Sequence, residues 1–322
     1  MKVSVVAVGD ANVDLIAPTK SLPSKGEEVL VDKVEMCPGG SAANLSVAVS
    51  RLGVSAGFIG RVGNDFFGQF LIKQFEKENV DISQLQVDDK VGTALLFVIV
   101  TENGERTMYT FRGANVYLSP EQVDMDYVRN ADILYVSGYT LISDPQRKTA
   151  LQILDTAKKA GVFISFDAGV LAPIKAASRV HSILPSINLL FFNELETASL
   201  MGIKPPESAA ESILGLGPEI VALKLGERGC LVLNKYKKFH SPAFKVDVVD
   251  TTGAGDAFDA GFLLGIKEGW SLEKTACFAN AVGALSVTRV GAWSALPTRR
   301  EVEEFIRRKK QKYKVVKGRV QI

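Results

Sequence analysis

From Ser119 onward, short β-branched apolar runs alternate with stretches of helical period, and this restricts the chain to a parallel sheet with helices on both faces. The runs lie at 133–137, 162–167, 189–192, 220–225 and 230–234. Ser119-Pro120 supplies a cap and a first-turn proline for a helix, Asp144-Pro145 opens a helix to Ala160, and Asn193 opens one to Met201. Ser208-Ala-Ala-Glu211 and Thr298-Arg-Arg-Glu301 have capping-box form, and three helices close the chain. Earlier, residues 2–9 read as a strand buried on both faces, 42–52 as a small-residue helix, 56–60 as a strand and 66–79 as an amphipathic helix. The β-rich runs at 12–17, 28–36 and 93–112 do not fit the alternation. The last holds two strands, 94–101 and 106–111, around the turn Glu102-Asn103-Gly104-Glu105. These runs predict a small antiparallel layer, inserted at about 12–37 and 92–113, covering a crevice at the carboxyl ends of the main strands. With no internal repeat or linker, residues 1–322 read as one domain ending in a basic tail, 305–322.

The 322 residues are ample for a large core, and 47% are hydrophobic against 23% charged. Cys37, Cys230 and Cys277 lie far apart without metal-ligand spacing, which argues against zinc or a disulfide scaffold and for a reducing compartment. The first apolar run is too short for a signal sequence and no stretch reaches membrane-spanning length, so the expectation is a cytoplasmic protein without membrane contact. The net charge is +2; the eight tail cations after residue 304 leave the preceding residues at −6. A negative body opposes nucleic-acid binding and makes the tail a solvated helix end.

Several signatures are absent. No Gly-Lys dipeptide exists for a P-loop, no GxGxxG follows the first strand, and protein-kinase motifs are missing. Gly53-Val-Ser55-Ala-Gly57 matches GxSxG, but it follows a helix and precedes a strand, the reverse of a nucleophile elbow, and only His181 and His240 could serve as bases.

The richest stretch is Asp250-Thr-Thr252-Gly253-Ala254-Gly255-Asp256, after an apolar approach and before a helical run. First-turn N–H groups of a helix lack internal partners and sit at its positive end, so Gly253, Ala254 and Gly255 can cradle an anion. Asp256 either charges the helix start or takes a proton from a hydroxyl that attacks phosphorus. Asp14, after the first strand, suits sugar hydroxyls or a turn. Gly39-Gly40 with Asn44 could bring backbone and amide to the same ligand, or simply start a helix. Asn193 and Glu196, a helical turn apart, could reach phosphates and Mg²⁺. Lys224-Leu-Gly226-Glu-Arg-Gly229 is a flexible loop after another strand.

Taken together, Gly39-Gly40…Asn44, Asn193-x-x-Glu196, Lys224-x-Gly226-x-x-Gly229 and the Asp250–Asp256 block resemble the ribokinase-like (PfkB) carbohydrate kinases, in that family's order and over nearly the whole chain. The resemblance implies a three-layer α/β/α fold with a β lid, transferring the γ-phosphate of ATP to a hydroxymethyl group. It implies Asp256 as base, residues 253–256 as anion hole, and Asp14, Gly39, Gly40 and Asn44 on the sugar. Asn193 and Glu196 would serve the Mg²⁺-phosphate region, and Lys224, Gly226, Gly229 and Asn280 the nucleotide. Asp250, Thr252, Ser286 and Gly291 match positions of a monovalent-cation (K⁺) site, although Ala295 stands where some members have serine. Residues 104–114, with Tyr109 and Arg112, resemble the lid strand of fructokinases and 2-keto-3-deoxygluconate kinases, where Tyr and Arg meet the substrate. That likeness leans the acceptor to a fructose-like or ribose-like sugar, and Asp167-Ala-Gly169-Val-Leu171, which departs from their Asp-x-Asn-x-Arg, weighs against it. Some nucleoside kinases share a stretch like Gly39-Gly-Ser-Ala-Ala-Asn44, so a nucleoside is the runner-up, with 2-keto-3-deoxygluconate the other alternative. A sugar- or nucleotide-binding regulator on the same fold is the non-enzyme alternative. The lid's apolar strands predict pairing into a homodimer.

Overall fold

The computed structural model describes residues 2–102, 105–202 and 205–316, with side chains to 309. The strands are β1 (Val5–Val8), β2 (Asn12–Thr19), β3 (Glu35–Gly39), β4 (Ala56–Gly63), β5 (Asp81–Asp88), β6 (Ala94–Thr101), β7 (Arg106–Phe111), β8 (Ile133–Ser137), β9 (Phe163–Asp167), β10 (Leu189–Asn193), β11 (Ile220–Lys224), β12 (Cys230–Asn234) and β13 (Lys238–Ser241). The helices are α1 (Ser41–Arg51), α2 (Phe66–Lys77), α3 (Met125–Arg129), α4 (Gln146–Ala160), α5 (Leu171–Lys175), α6 (Ala177–Ile183), α7 (Glu194–Met201), α8 (Pro206–Leu214), α9 (Ala254–Lys267), α10 (Leu272–Ser286) and α11 (Arg299–Val316).

Nine strands form the large sheet in the order β13-β12-β11-β10-β9-β8-β1-β4-β5, parallel from β11 to β5 with β12 and β13 antiparallel at one edge. The alternation of side chains along each strand divides the core into two layers. Val5 and Ala7 of β1 pack with α1, α2, α9 and α10, whereas Val6 and Val8 pack with α4, α6 and α8. The result is the expected three-layer α/β/α arrangement, and the continuous apolar runs are the strands buried on both faces.

A separate four-stranded sheet, β3-β2-β6-β7, takes up the runs that broke the alternation. It is mixed rather than antiparallel, because β2 pairs with β6 in parallel while β3 and β7 flank them in antiparallel. The reason lies in connectivity: β2 leaves the large sheet after β1, β6 leaves it after β5, and both travel the same way. Of the run 28–36 only Glu35 and Met36 enter a strand; Leu30 is 88% exposed and has no strand beside it. Asn103 and Gly104 of the expected turn lie outside the described residues.

Three other expectations change. Ser119-Pro120 starts a 3₁₀ turn, Pro120–Gln122, with α3 following. Ser208 does not cap α8, which begins two residues earlier at Pro206; its N–H donates to the Pro205 carbonyl inside the first turn. A proline at the first position is sufficient to start a helix earlier than the serine signal suggests. Strands β5 and β13 had no counterpart in the sequence pattern, since β5 alternates weakly and β13 carries Lys238 and His240. The box at Thr298 and Glu301 is present, with Thr298 N–H donating to Glu301 Oε2 at 2.7 Å. The basic tail continues α11 to Val316, and residues 317–322 lie outside the described residues.

Candidate active site

The parallel strands end side by side, and their registers line up the polar residues at their carboxyl ends. Ser137 pairs with Asp167, and Asn193 with Lys224, so chemistry spread along the sequence converges on one edge of the sheet. Helix α9 points its N-terminus at this edge. Gly253 precedes it in the left-handed region (φ 74°) with no side-chain cap, so the backbone turns abruptly and leaves first-turn amides unprotected. Ala254 N–H donates to the Thr251 carbonyl; the N–H groups of Gly255 and Asp256 have no acceptor within the helix.

Asp256 is the third residue of α9. Its carboxylate accepts from Ser41 Oγ and Asn44 Nδ2, both at 2.7 Å, one turn apart on α1. Trp293 Nε1–H donates to Asn44 Oδ1 at 2.7 Å and so fixes which way the amide points. Burial pushes the Asp256 carboxyl up to about 6, against the two donors, which favour the ionised form. The start of α1 is itself held by Gly40 (φ 103°), whose missing side chain would lie 2.3 Å from the Asp10 carbonyl oxygen.

On one side of Asp256 lies the root of the small sheet. Asp14 on β2 is buried, accepts from Asn12 Nδ2 at 2.5 Å, and is pushed up to about 6 by burial. A Cβ at Gly39 would come within 2.8 Å of both Asp14 carboxyl oxygens, so the glycine leaves them uncovered. Arg112 forms a bidentate pair with Asp10 (Nη2–Oδ2 2.8 Å) and also donates to the Tyr139 carbonyl and Gln146 Oε1; its Nη1 is buried without a partner among the described residues. Tyr109 does not join this group. Cross-strand register places Phe97, Tyr109 and Phe111 on one face and Asp14, Leu96 and Thr110 on the other, so Tyr109, 73% exposed, stands on the face opposite Asp14.

On the other side is a cavity of about 610 Å³ lined by Lys224, Gly226, Gly229 and Asn280 together with Ala254 and Gly255, the rest of its wall being largely apolar, including Phe244, Phe258 and Val287. Thus the four residues expected on the nucleotide share one hollow with the start of α9. Asn280 also pins the chain after β13, donating to the Ser241 and Pro242 carbonyls. Asn193 and Glu196 form a reciprocal capping box on α7, with Glu196 Oε2 accepting from the Asn193 N–H at 2.8 Å. Burial first, and then the nearby charge of Asp167, push Glu196 up to about 7.

Asp250, Thr252 and Gly291 come together as expected. Asp250 Oδ1 accepts from Thr252 N–H (2.9 Å) and Oγ–H (2.6 Å), and Oδ2 from Gly291 N–H (2.9 Å). Burial works against this carboxylate, but these bonds hold it below the usual range. Ser286 turns its hydroxyl to the Gly283 carbonyl of its own helix instead. Five participants escaped sequence reasoning: Ser41 and Trp293, which orient Asp256 directly and through Asn44; Asp10, which neutralises Arg112; Asp259, one turn beyond Asp256; and Arg106, which reaches from β7 to Thr252 Oγ at 2.5 Å. Asp259 lies three residues beyond the Asp250–Asp256 block and Arg106 beside the expected turn, so position, not residue type, was the usable signal.

Residues 2–299 match the model of the pfkB family of carbohydrate kinases. The chain belongs to that family. It is 34% identical over 313 residues to the aminoimidazole riboside kinase of Salmonella typhimurium, covering 93% of each chain, and 33% identical over 321 residues to fructokinase-1 of Zea mays, covering 94% of this chain and 97% of the relative. An E. coli protein assigned as a ribokinase II and solved with ATP and Mg²⁺ superposes with a TM-score of 0.86 at 28% identity, over 95% of this chain and 99% of that one. The protein is therefore a phosphotransferase of the carbohydrate-kinase class, with an alcohol group as acceptor.

Proposed function

We propose that the protein transfers the γ-phosphate of ATP to a hydroxymethyl group of a small neutral sugar, with Asp256 as the base. The observation that supports this best is the position of Asp256, at the start of α9 beside the wall of the 610 Å³ cavity, with its orientation fixed by Ser41 and Asn44 of α1, the helix that follows Gly39 and its contact with Asp14. The sugar oxygen bonds to phosphorus as the bond from phosphorus to the ADP oxygen breaks, and the hydroxyl proton passes to Asp256. A loose phosphoryl transition state gains most from positioning and neutralisation, so a weak base accepting the proton late is enough. The amides of Gly255 and Asp256 face the developing charge.

Asp14 and the open backbone at Gly39 suit sugar hydroxyls, with Arg112 at the margin of the same pocket. A neutral acceptor follows from charge: Arg112 is already paired with Asp10, whereas among the described residues Asp14 and Asp256 form no ion pair and feel Arg106 and Lys224 only at longer range. That disfavours 2-keto-3-deoxygluconate, whose carboxylate would meet an acidic pocket. Among the described residues no group of three acidic, His or Cys side chains could hold a metal, which fits Mg²⁺ carried mainly by phosphates with Glu196 reached through water. When bound, Mg²⁺ would neutralise phosphate charge. The carboxylate and hydroxyl of Asp250 and Thr252, with the Gly291 loop, supply a donor set for a monovalent cation such as K⁺.

Two relatives at nearly equal identity, one a fructokinase and one a riboside kinase, favour different acceptors, so a nucleoside is the second reading. A coupled ADP-release screen with ATP and Mg²⁺ over fructose, ribose, 2-keto-3-deoxygluconate and purine nucleosides decides between them. Turnover with a neutral sugar is expected. Turnover only with a nucleoside would transfer the assignment, and turnover only with the keto acid would refute the charge argument.

A further inference from the structure

Beneath the start of α9 lies a buried charge cluster that the proton transfer does not use. Lys224 Nζ, at the end of β11, is 2.5 Å from Asp167 Oδ2 at the end of β9 and 3.1 Å from Asp259 Oδ1 on α9. Asp259 is fully buried, and only 15% of the Lys224 side chain is exposed. A fully enclosed carboxylate is costly in a protein interior unless a cation answers it. Here the answer is specific. Lys224 has three N–H donors: Asp167 Oδ2 takes one, and the two Asp259 oxygens, at 3.1 and 3.3 Å, share a second in a bifurcated contact. The third is left toward the cavity that Lys224 lines, and a Cβ on Gly255 would lie 3.4 Å from Nζ, so the ammonium sits against the first turn of α9. A lysine on a long flexible stem would otherwise sample many rotamers and lose entropy on meeting an anion.

Resting on the nucleotide reading above, we propose that Asp259 is a positioning residue: together with Asp167 it fixes the Lys224 ammonium beside Gly255, where the free N–H binds the terminal phosphate of the donor nucleotide. Burial opposes the charged form of Lys224, but Asp167 and Asp259 outweigh it and raise its affinity for the proton, so the amine stays cationic at working pH. The same helix thus carries the proposed base and, one turn later, the carboxylate that places the cation. Asp259 reaches the phosphate only through Lys224.

The test is calorimetric titration of the full-length protein with ADP and with a non-hydrolysable ATP analogue, both in Mg²⁺, which requires no knowledge of the acceptor. Asp259→Ala and Lys224→Met should each weaken the triphosphate analogue about tenfold or more while leaving ADP within about twofold, the size expected for one hydrogen bond to a charged group. Asp259→Asn keeps an acceptor oxygen in place and should stay within about threefold of the parent. Lys224→Met combined with Asp259→Ala should be no weaker than Lys224→Met alone, because both act through one ammonium. An unchanged triphosphate-to-diphosphate ratio in Lys224→Met, or additive losses in the double variant, would overturn the proposal. If Asp259→Ala does not fold, as thermal melting would show, the Lys224→Met ratio and the Asp259→Asn rescue still decide it. Failure of the parent protein to bind either nucleotide would instead overturn the nucleotide reading of the cavity.

Discussion

At the scale of single residues, the site is a set of carboxylates given different tasks by their neighbours. Asp10 is neutralised by Arg112, Asp259 by Lys224, and Asp250 by backbone and hydroxyl donors, whereas among the described residues Asp256 and Asp14 accept hydrogen bonds only from neutral donors. Groups whose surroundings separate them in this way are candidates for distinct roles. Asp256→Asn is the same shape without the basicity; kcat should fall at least about a hundredfold, while calorimetry should find nucleotide affinity nearly unchanged. Near-normal turnover would remove Asp256 as base. The pH dependence has a definite sign. The carboxyl must be ionised to accept a proton, and burial raises it to about 6. Hence kcat/KM should be level above neutrality and drop about tenfold for each pH unit below 6. A rate–pH profile with no acid limb between pH 5 and 7 would contradict that role.

Elements show why some of this was legible in the sequence and some was not. The alternation of apolar runs and capped helices determines the large sheet, because strands buried on both faces and amphipathic helices each leave a periodic record. Gly253–Asp256 was legible because a helix start with small residues and one acid leaves few readings. Tyr109 was misplaced because the side of a strand on which a residue stands depends on register with β6, which single-strand composition does not encode. The mixed pairing of the small sheet depends on two connections far apart in the chain, and the Asp259–Lys224 contact bridges 35 residues. The start of α1 offers a test at this scale. Gly40→Ala forces a side chain into a left-handed backbone and against the Asp10 carbonyl, and should cost about 2 kcal/mol or more in urea unfolding. It should also lower activity in the folded fraction, since α1 carries Ser41 and Asn44. An unchanged unfolding midpoint would show that the backbone there relaxes freely.

Across the whole molecule, the large sheet is enclosed by helices and the small sheet is not. Phe97, Tyr109 and Phe111 expose 45%, 73% and 51% of their surface on one face. An apolar sheet face of this kind invites a second copy, and a homodimer through it is expected; light scattering should give twice the chain mass. Phe97→Asp with Tyr109→Glu should give monomers with intact secondary structure. A parent protein that is monomeric at micromolar concentration would contradict the dimer. No helix among the described residues is long and apolar enough to cross a membrane.

The parallel pairing of β2 with β6 also sets a lever. Both strands leave the large sheet at neighbouring points, just before Asn12 and Ala94, and both extend away from it. Asp14 stands two residues from this axis and Arg106, opposite Val100, six residues from it. At about 3.3 Å per residue these arms are roughly 7 and 20 Å long. A rigid swing of the small sheet about this axis would move Arg106 about three times as far as Asp14, so contacts near the fulcrum would endure while the far tip would lose its grip on Thr252 first.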